Sequence, residues 1–254
     1  MKNQKPTRRF SAHYLVRTQI RPTHILNSYR WSWPLLKHSK LSMSEVKHIY
    51  LVRHGRSRAN ETGIREGDTS PLTETGEEQA TSAAERFKNM PIEVVLTSPY
   101  KRAHDTGKKI AEAAKVPLEI IPIAHERELP ADLHGKHRED PMVKESVAKF
   151  EYSWIRDANV DDGEHFNDIR ERVVKLTEIL ENRKEEHVVV TSHGFFLKFF
   201  VAHHLLGDYL TPDLFVNSIM TTMRTTNTGI TYFVLEGGTW TLSSWNDSAH
   251  LGAV

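Results

Sequence analysis

The chain has 254 residues, 38% of them hydrophobic, which suits one domain of ordinary size with a full core, or such a domain carrying an insertion. Its 34 Lys and Arg nearly balance its 33 Asp and Glu, and a formal net charge of +1 argues against nucleic acid or an anionic membrane as a general electrostatic partner. Cysteine is absent, which excludes disulfides, thiol catalysis and cysteine-ligated zinc, and no apolar run approaches the roughly 20 residues that cross a bilayer; a soluble protein of the cytoplasm is expected.

The start of the chain departs from this average. Before Glu45 there is no Asp or Glu, while Arg8, Arg9, Arg17, Arg21, Arg30, Lys37 and Lys40 all occur there. Residues 1–42 show no helical or strand period and read as a basic, disordered N-terminal extension. An Arg-rich, acid-poor leader is also the composition of a mitochondrial presequence, the alternative location. Met43, running through "MSEVKHIYLV" into a first strand, offers a second translation start. The folded domain is assigned to 43–254.

Apolar runs of strand length follow at 48–52, 92–96, 187–191, 230–235 and 240–245, separated by segments of helical spacing. This alternation predicts an α/β fold: three α/β/α layers around a mostly parallel sheet. After the first strand, "TETGEEQATSAAERFKNM" predicts a helix capped by Thr73, with Gly76 and Glu77 in its first turn. After the second, "TSPYKRAHDTGKKIAEAA" predicts a helix capped by Ser98, with Pro99 in the first position and Arg102 in the first turn. Phe166, Ile169, Val173, Leu176 and Leu180 form one apolar stripe on a longer helix. Between these lies 125–163, mixed in charge, with Pro130, Pro141 and Trp154 and no clear period; it reads as a small cap-like insertion over the active site.

Two stretches stand out. "HIYLVRHGRSRAN" places Arg53, His54 and Gly55 directly after the first strand, and "HVVVTSHGFFLKFF" places His193 and Gly194 after a strand of the same make. In a mostly parallel sheet, ligands bind beyond the carboxyl ends of strands, near the point where strand order reverses. If these two strands are neighbours, His54 and His193 share a rim with Arg53 and Arg102, and Gly55 and Gly194 let backbone approach a ligand. Two guanidiniums and two imidazoles suit a phosphate dianion: arginine supplies paired rigid donors, and nearby positive charge keeps an imidazole neutral and nucleophilic.

With "LVRHGRSRAN", "SPLTETGEEQA", "LTSPYKRAHDT", "DGEHFNDIRERV" and "VVVTSHG" in this order over roughly 46–200, the chain resembles the histidine phosphatase superfamily, also called phosphoglycerate-mutase-like. The resemblance implies a metal-independent phosphomonoester hydrolase with no cofactor, acting through phosphohistidine on His54. It implies that Arg53, Arg102 and His193 clamp the phosphoryl oxygens and that Asn60 lies near the phosphate. A proton donor to the leaving alkoxide is expected from the insertion, Glu126 first and Glu128 second; should the acid lie elsewhere, Asp132 and Glu164 come next. The partner implied is a small phosphorylated substrate or a phosphoprotein. A phosphoglycerate-mutase-type phosphotransferase is the alternative on the same fold, although "AHERELPADLHG" stands where that branch usually reads "RLNERHYG". An inactive phosphate-binding module is the alternative from another class. Nothing in the sequence speaks to oligomeric state.

Elsewhere, His203 and His204 are adjacent on an apolar helix, so their side chains diverge by about 100° and suit no shared metal. His134, Lys136, His137 and Arg138 belong to a charged loop that either is solvated or meets a substrate beyond its phosphate. Tyr232, Phe233, Trp240 and Trp245 alternate on late strands and read as core.

Overall fold

The computed structural model describes residues 46–156, 158 and 162–252. The extension expected over 1–42, with Met43, lies outside the described residues.

Each face of the central sheet is written by alternation along the strands. In β1 (Lys47–Arg53), Ile49 and Leu51 enter one apolar cluster while Tyr50 and Val52 enter another on the opposite face. β2 (Val94–Thr97) and β4 (His187–Ser192) divide in the same way, which is why these strands read as nearly continuous apolar runs. The first cluster is closed by α5 (Phe166–Asn182) and α6 (Gly194–Leu206), and the second by α2 (Glu74–Phe87) and α3 (Lys101–Ala114). The result is the expected three-layer α/β/α arrangement.

β3 (Leu118–Ile120) joins β2, β4 and β1 in a parallel set, whereas β5 (Ile230–Glu236) and β6 (Thr239–Asp247) continue the sheet antiparallel. The six strands lie in the order β3-β2-β4-β1-β5-β6. β3 escapes the sequence reading because it is three residues long and partly exposed at the sheet edge. The decisive pairing is β1 with β4, which sets Arg53 opposite Ser192. The residues that follow, His54 and His193, leave the sheet side by side.

Local signals explain most element ends. Thr73 caps α2 as expected, accepting a 3.1 Å bond from Gly76 N. The stripe on α5 is fully buried. α3 differs: it begins at Lys101 with Tyr100 at the cap, so Ser98 is not its cap and Pro99 is not its first residue. The extended Tyr100 backbone delays the helix, and the Ser98 hydroxyl is used elsewhere. The segment 125–163 also differs, because it contains a 15-residue helix, α4 (Pro141–Ile155), started by Pro141 and by Asp140 accepting from Met142 N at 2.8 Å. Its buried residues Val143, Phe150 and Trp154 do fall on one face, but Lys144, Glu145, Lys149 and Glu151 surround them and mask the period. Among the described residues no helix is long and apolar enough to cross a membrane.

Candidate active site

The backbone N–H of His54 donates to Ser192 O at 3.0 Å, so the first residue beyond β1 is tied to the end of β4. His54 is 3% exposed. Nδ1 lies 2.7 Å from Gly55 O, an acceptor only, so Nδ1 carries the proton and Nε2 presents its lone pair. Arg102 Nε donates to that Nε2 at 3.2 Å. Burial, then the charges of Arg102 and Arg53, hold the His54 pKa well below the ordinary imidazole range, against the opposing Gly55 bond. His54 is therefore neutral at pH 7, with one tautomer selected.

His193 is fully buried, with its ring centroid 5.2 Å from that of His54 and the planes tilted by 56°. Burial and then Arg102 likewise depress its pKa strongly. Ser98 Oγ sits 2.8 Å from its Nε2, while Nδ1 is buried without a hydrogen-bond partner. A buried imidazole nitrogen with no protein partner at such a rim is suited to meet a ligand atom.

Both arginines are held by carbonyls. Arg53 Nη1 donates to Thr225 O at 2.5 Å and its Nε is buried without a partner. Arg102, in the first turn of α3, donates from Nη1 to Gly67 O at 2.6 Å. Neither has a carboxylate within ion-pair distance among the described residues. Burial lowers the pKa of each, with Glu126 as the main opposing charge. Two desolvated guanidiniums without counter-ions form a strong site for an anion.

The glycines of the site stand at close backbone contacts. A Cβ on Gly55 would stand 2.5 Å from Gly76 O, one on Gly76 would stand 1.9 Å from Arg56 O, and one on Gly194 would stand 2.9 Å from Thr225 Oγ1. They permit parts of the site to pack on one another. Around the same contact, Thr73 N donates to Arg56 O at 2.9 Å and Arg56 N donates to Gln79 Oε1 at 2.8 Å. The "SPLTETGEEQA" stretch thus docks the start of α2 against residues 54–57.

Asn60 lies on α1 (Arg58–Thr62), and its Oδ1 accepts from Ser57 N at 3.2 Å and from Asn227 Nδ2 at 3.1 Å. Only its own Nδ2 is left to face an anion. Asn227 Nδ2 also reaches His54 O at 2.9 Å. Sequence reasoning missed Asn227 and Thr225, which lie in a polar loop before β5 with no local period. It also missed Thr106, whose Oγ1 accepts from Gly55 N at 3.0 Å. The "RAHDT" stretch was a signal that Thr106 matters, one turn after Arg102.

Among the carboxylates, Glu126 reaches the centre. Its oxygens accept from Phe195 N at 3.3 Å, Phe196 N at 3.1 Å and Arg127 N at 3.1 Å, at the start of α6 just behind His193. Glu128 is exposed, yet its charge is felt at Tyr100 beside Arg102, where burial and then Glu128 push the phenol up to about 12. Glu164 is committed to Arg172, at 2.5 and 2.7 Å, and Asp132 is exposed near Lys136. Neither shares the centre with His54. His134, Lys136 and His137 are exposed, while Arg138 is half-buried and donates to Ala59 O. His204 bonds Phe200 O and Thr177 Oγ1, stacks on Phe200 and lies tilted against Trp240, so it packs on the core with Phe233 and Trp240.

A family model described as histidine phosphatase superfamily (branch 1) matches residues 49–248. The chain is 31% identical over 221 residues to a metal-independent phosphoserine phosphatase of Arabidopsis thaliana, covering 83% of this chain and 86% of that protein. It is 29% identical over 220 residues to a probable phosphoglycerate mutase of Enterobacter sp., covering 81% and 95%. Among solved structures, a putative alpha-ribazole-5'-P phosphatase of Escherichia coli superposes with a TM-score of 0.67 at 25% identity, covering 80% of this chain and 97% of that one.

Proposed function

Since the chain belongs to the histidine phosphatase superfamily, we propose that it hydrolyses a phosphomonoester through phosphohistidine on His54, without a metal ion or cofactor. The observation that supports this most is the neutral His54 ring, with Nδ1–H on Gly55 O and Nε2 turned towards Arg102. In this reading the Nε2 lone pair attacks phosphorus as the bond to the leaving oxygen breaks, and the cation that forms is held by the Gly55 carbonyl. Arg53 and Arg102 bind the phosphoryl oxygens, and His193 donates to them from Nδ1, its ring proton kept there by the Ser98 hydroxyl on Nε2. The clamp does by hydrogen bonding and charge what a metal ion does elsewhere. Asn60 Nδ2 adds a neutral donor.

Glu126 is the proton donor in this scheme and Glu128 its alternative. The Glu126 carboxyl passes its proton to the leaving oxygen as the bond to phosphorus breaks. Once the alcohol has left, the same carboxylate takes a proton from water, which attacks phosphorus and releases phosphate from His54. The relative named a phosphoserine phosphatase supports hydrolysis over transfer back to substrate.

The test is brief incubation with labelled substrate and an alkaline quench. The expected result is an acid-labile, base-stable phosphoryl group on the protein, absent from folded His54→Ala, with turnover that survives exhaustive chelation. A fully active His54→Ala protein would overturn the mechanism. Label that returns to a second acceptor alcohol in preference to water would make the protein a mutase.

A further inference from the structure

The stretch "DGEHFNDIRERV" lends no group to the phosphate clamp, yet it buries two opposite charges behind the loop that carries Glu126. The side chains of Arg172 and Glu164 are 10% and 9% exposed. Arg172 turns Nε and Nη2 to the Glu164 carboxylate, at 2.5 and 2.7 Å, which uses one side of the guanidinium fork. Its Nη1 reaches away from the pair and donates to two carbonyls, Ile123 O at 2.7 Å and His125 O at 2.9 Å. Glu164 grips the same loop farther on: its backbone N–H donates to Glu128 O at 2.9 Å, and its carboxylate accepts from Glu128 N at 3.3 Å.

Residues 123–128 depend on such holding because little local structure supplies it. One short 3-10 turn, Pro122–Ala124, is followed by irregular backbone up to Pro130. Groups distant in the chain take the carbonyls in succession: Ile123 O and His125 O go to Arg172, and Ala124 O accepts from the buried Ser192 hydroxyl at 2.6 Å. Glu126 stands between the part held by Arg172 and the part held by Glu164. Its carboxylate accepts from Phe195 N and Phe196 N, which lie in the first turn of α6 and have no acceptor within that helix. The Arg172 guanidinium also lies over the Phe196 ring, 4.6 Å from its centre. One side chain thus bears both on the loop and on the residue to which the carboxylate is bonded.

We infer that Arg172 and Glu164 are positioning residues: as one buried ion pair they fix residues 123–128 so that the Glu126 carboxyl meets the leaving oxygen. The consequence for turnover rests on the reading of Glu126 as proton donor, whereas the fixing of its carboxylate on α6 does not. A donor acts only within hydrogen-bond reach of the oxygen it protonates, and a displacement of about 1 Å costs about 100-fold in rate. Arginine suits the task because its rigid fork holds a carboxylate and two carbonyls at once, whereas a lysine ammonium is a point charge on a flexible stem.

The test compares Arg172→Met, Arg172→Lys and the double variant Arg172→Met/Glu164→Leu, each in the full chain. Removing one partner strands a buried charge and can unfold the protein, whereas replacing both by apolar side chains is often neutral for stability, so the double variant carries the test. Its kcat for the alkyl esters phosphoserine and glycerol phosphate should fall about 10- to 100-fold, with KM little changed and turnover of nitrophenyl phosphate falling much less. Adding Glu126→Gln should cost little more, since both changes remove the same proton transfer. Arg172→Lys should keep part of what Arg172→Met loses. Amide hydrogen exchange supplies a readout that needs no turnover: in the double variant Phe195 and Phe196 N–H should exchange about tenfold faster, having lost their acceptor. Equal losses with both kinds of ester, or no loss, would overturn the inference, as would unchanged exchange at Phe195 and Phe196. If the wild type turns over no ester, the phosphatase reading fails, and the exchange result alone decides whether the pair fixes Glu126.

Discussion

Ser98 Oγ lies 2.8 Å from His193 Nε2 inside the protein, and the same hydroxyl accepts from Tyr100 N at 3.2 Å. A residue that local pattern assigns to a helix cap is instead the partner of a buried imidazole. With its oxygen engaged by Tyr100, the serine proton is directed to Nε2, which leaves the ring proton on Nδ1. Ser98→Ala should therefore lower kcat/KM about 10- to 100-fold and also lower the thermal midpoint, because it strands a buried polar group at a cost of about 1–3 kcal/mol. Steady-state kinetics beside a melting curve checks this; an unchanged kcat/KM would remove Ser98 from the site.

Leaving-group dependence separates the carboxyl groups. A sugar alkoxide needs a proton to depart, whereas nitrophenolate does not. Glu126→Gln should cost about two to four orders of magnitude in turnover of an alkyl phosphate and much less with nitrophenyl phosphate. Glu128→Gln should show no such contrast. If the contrast appears at Glu128 alone, the proton comes from the carboxyl that bears on Tyr100 and not from the one bonded to α6.

Gly76→Ala tests the docking of α2. The added methyl would meet Arg56 O at 1.9 Å, backbone against backbone, so neither side can swing away. Destabilisation of about 3 kcal/mol or more is expected from such overpacking, with activity lost alongside, because residues 54–57 must move with His54. A folded variant with wild-type kcat/KM would show that this contact relaxes without reaching the nucleophile.

Buried histidines set the acid side of stability. Burial lowers the His204 pKa from 6.5 to about 4, against the opposing Phe200 bond, while His54 and His193 shift in the same direction. The unfolded chain therefore binds protons that the native one refuses, so stability is full above about pH 6.5 and falls as pH drops towards 4. His204 alone contributes a loss of about 3 kcal/mol across that window. Denaturant titrations at several pH values should show this slope and a shallower one for His204→Leu; identical slopes would contradict the buried neutral state.

Features that repeat locally are readable from the chain alone. Apolar runs bounded by polar steps mark five of the six strands, the 3.6-residue stripe marks α5, and Arg53, His54 and His193 stand at or directly after the ends of strands whose carboxyl termini define a ligand edge. Arg102 is legible because its helix starts just beyond β2. These features follow from backbone periodicity, which each segment shows without knowing its neighbours. What depends on distant pairing emerges only when the layers are assembled. β1 beside β4 makes His54 and His193 one site, and the helix α4 forms because its apolar residues find the core despite the charges between them. Gly55 and Gly76 are glycines because the loop after β1 meets the first turn of α2. Ser98, Thr225 and Asn227 serve His193, Arg53 and His54 across 95, 172 and 173 residues of chain. A hydroxyl, carbonyl or amide has no periodic signature; its partner is chosen by which groups burial leaves unsatisfied, and that is known only once the layers have closed.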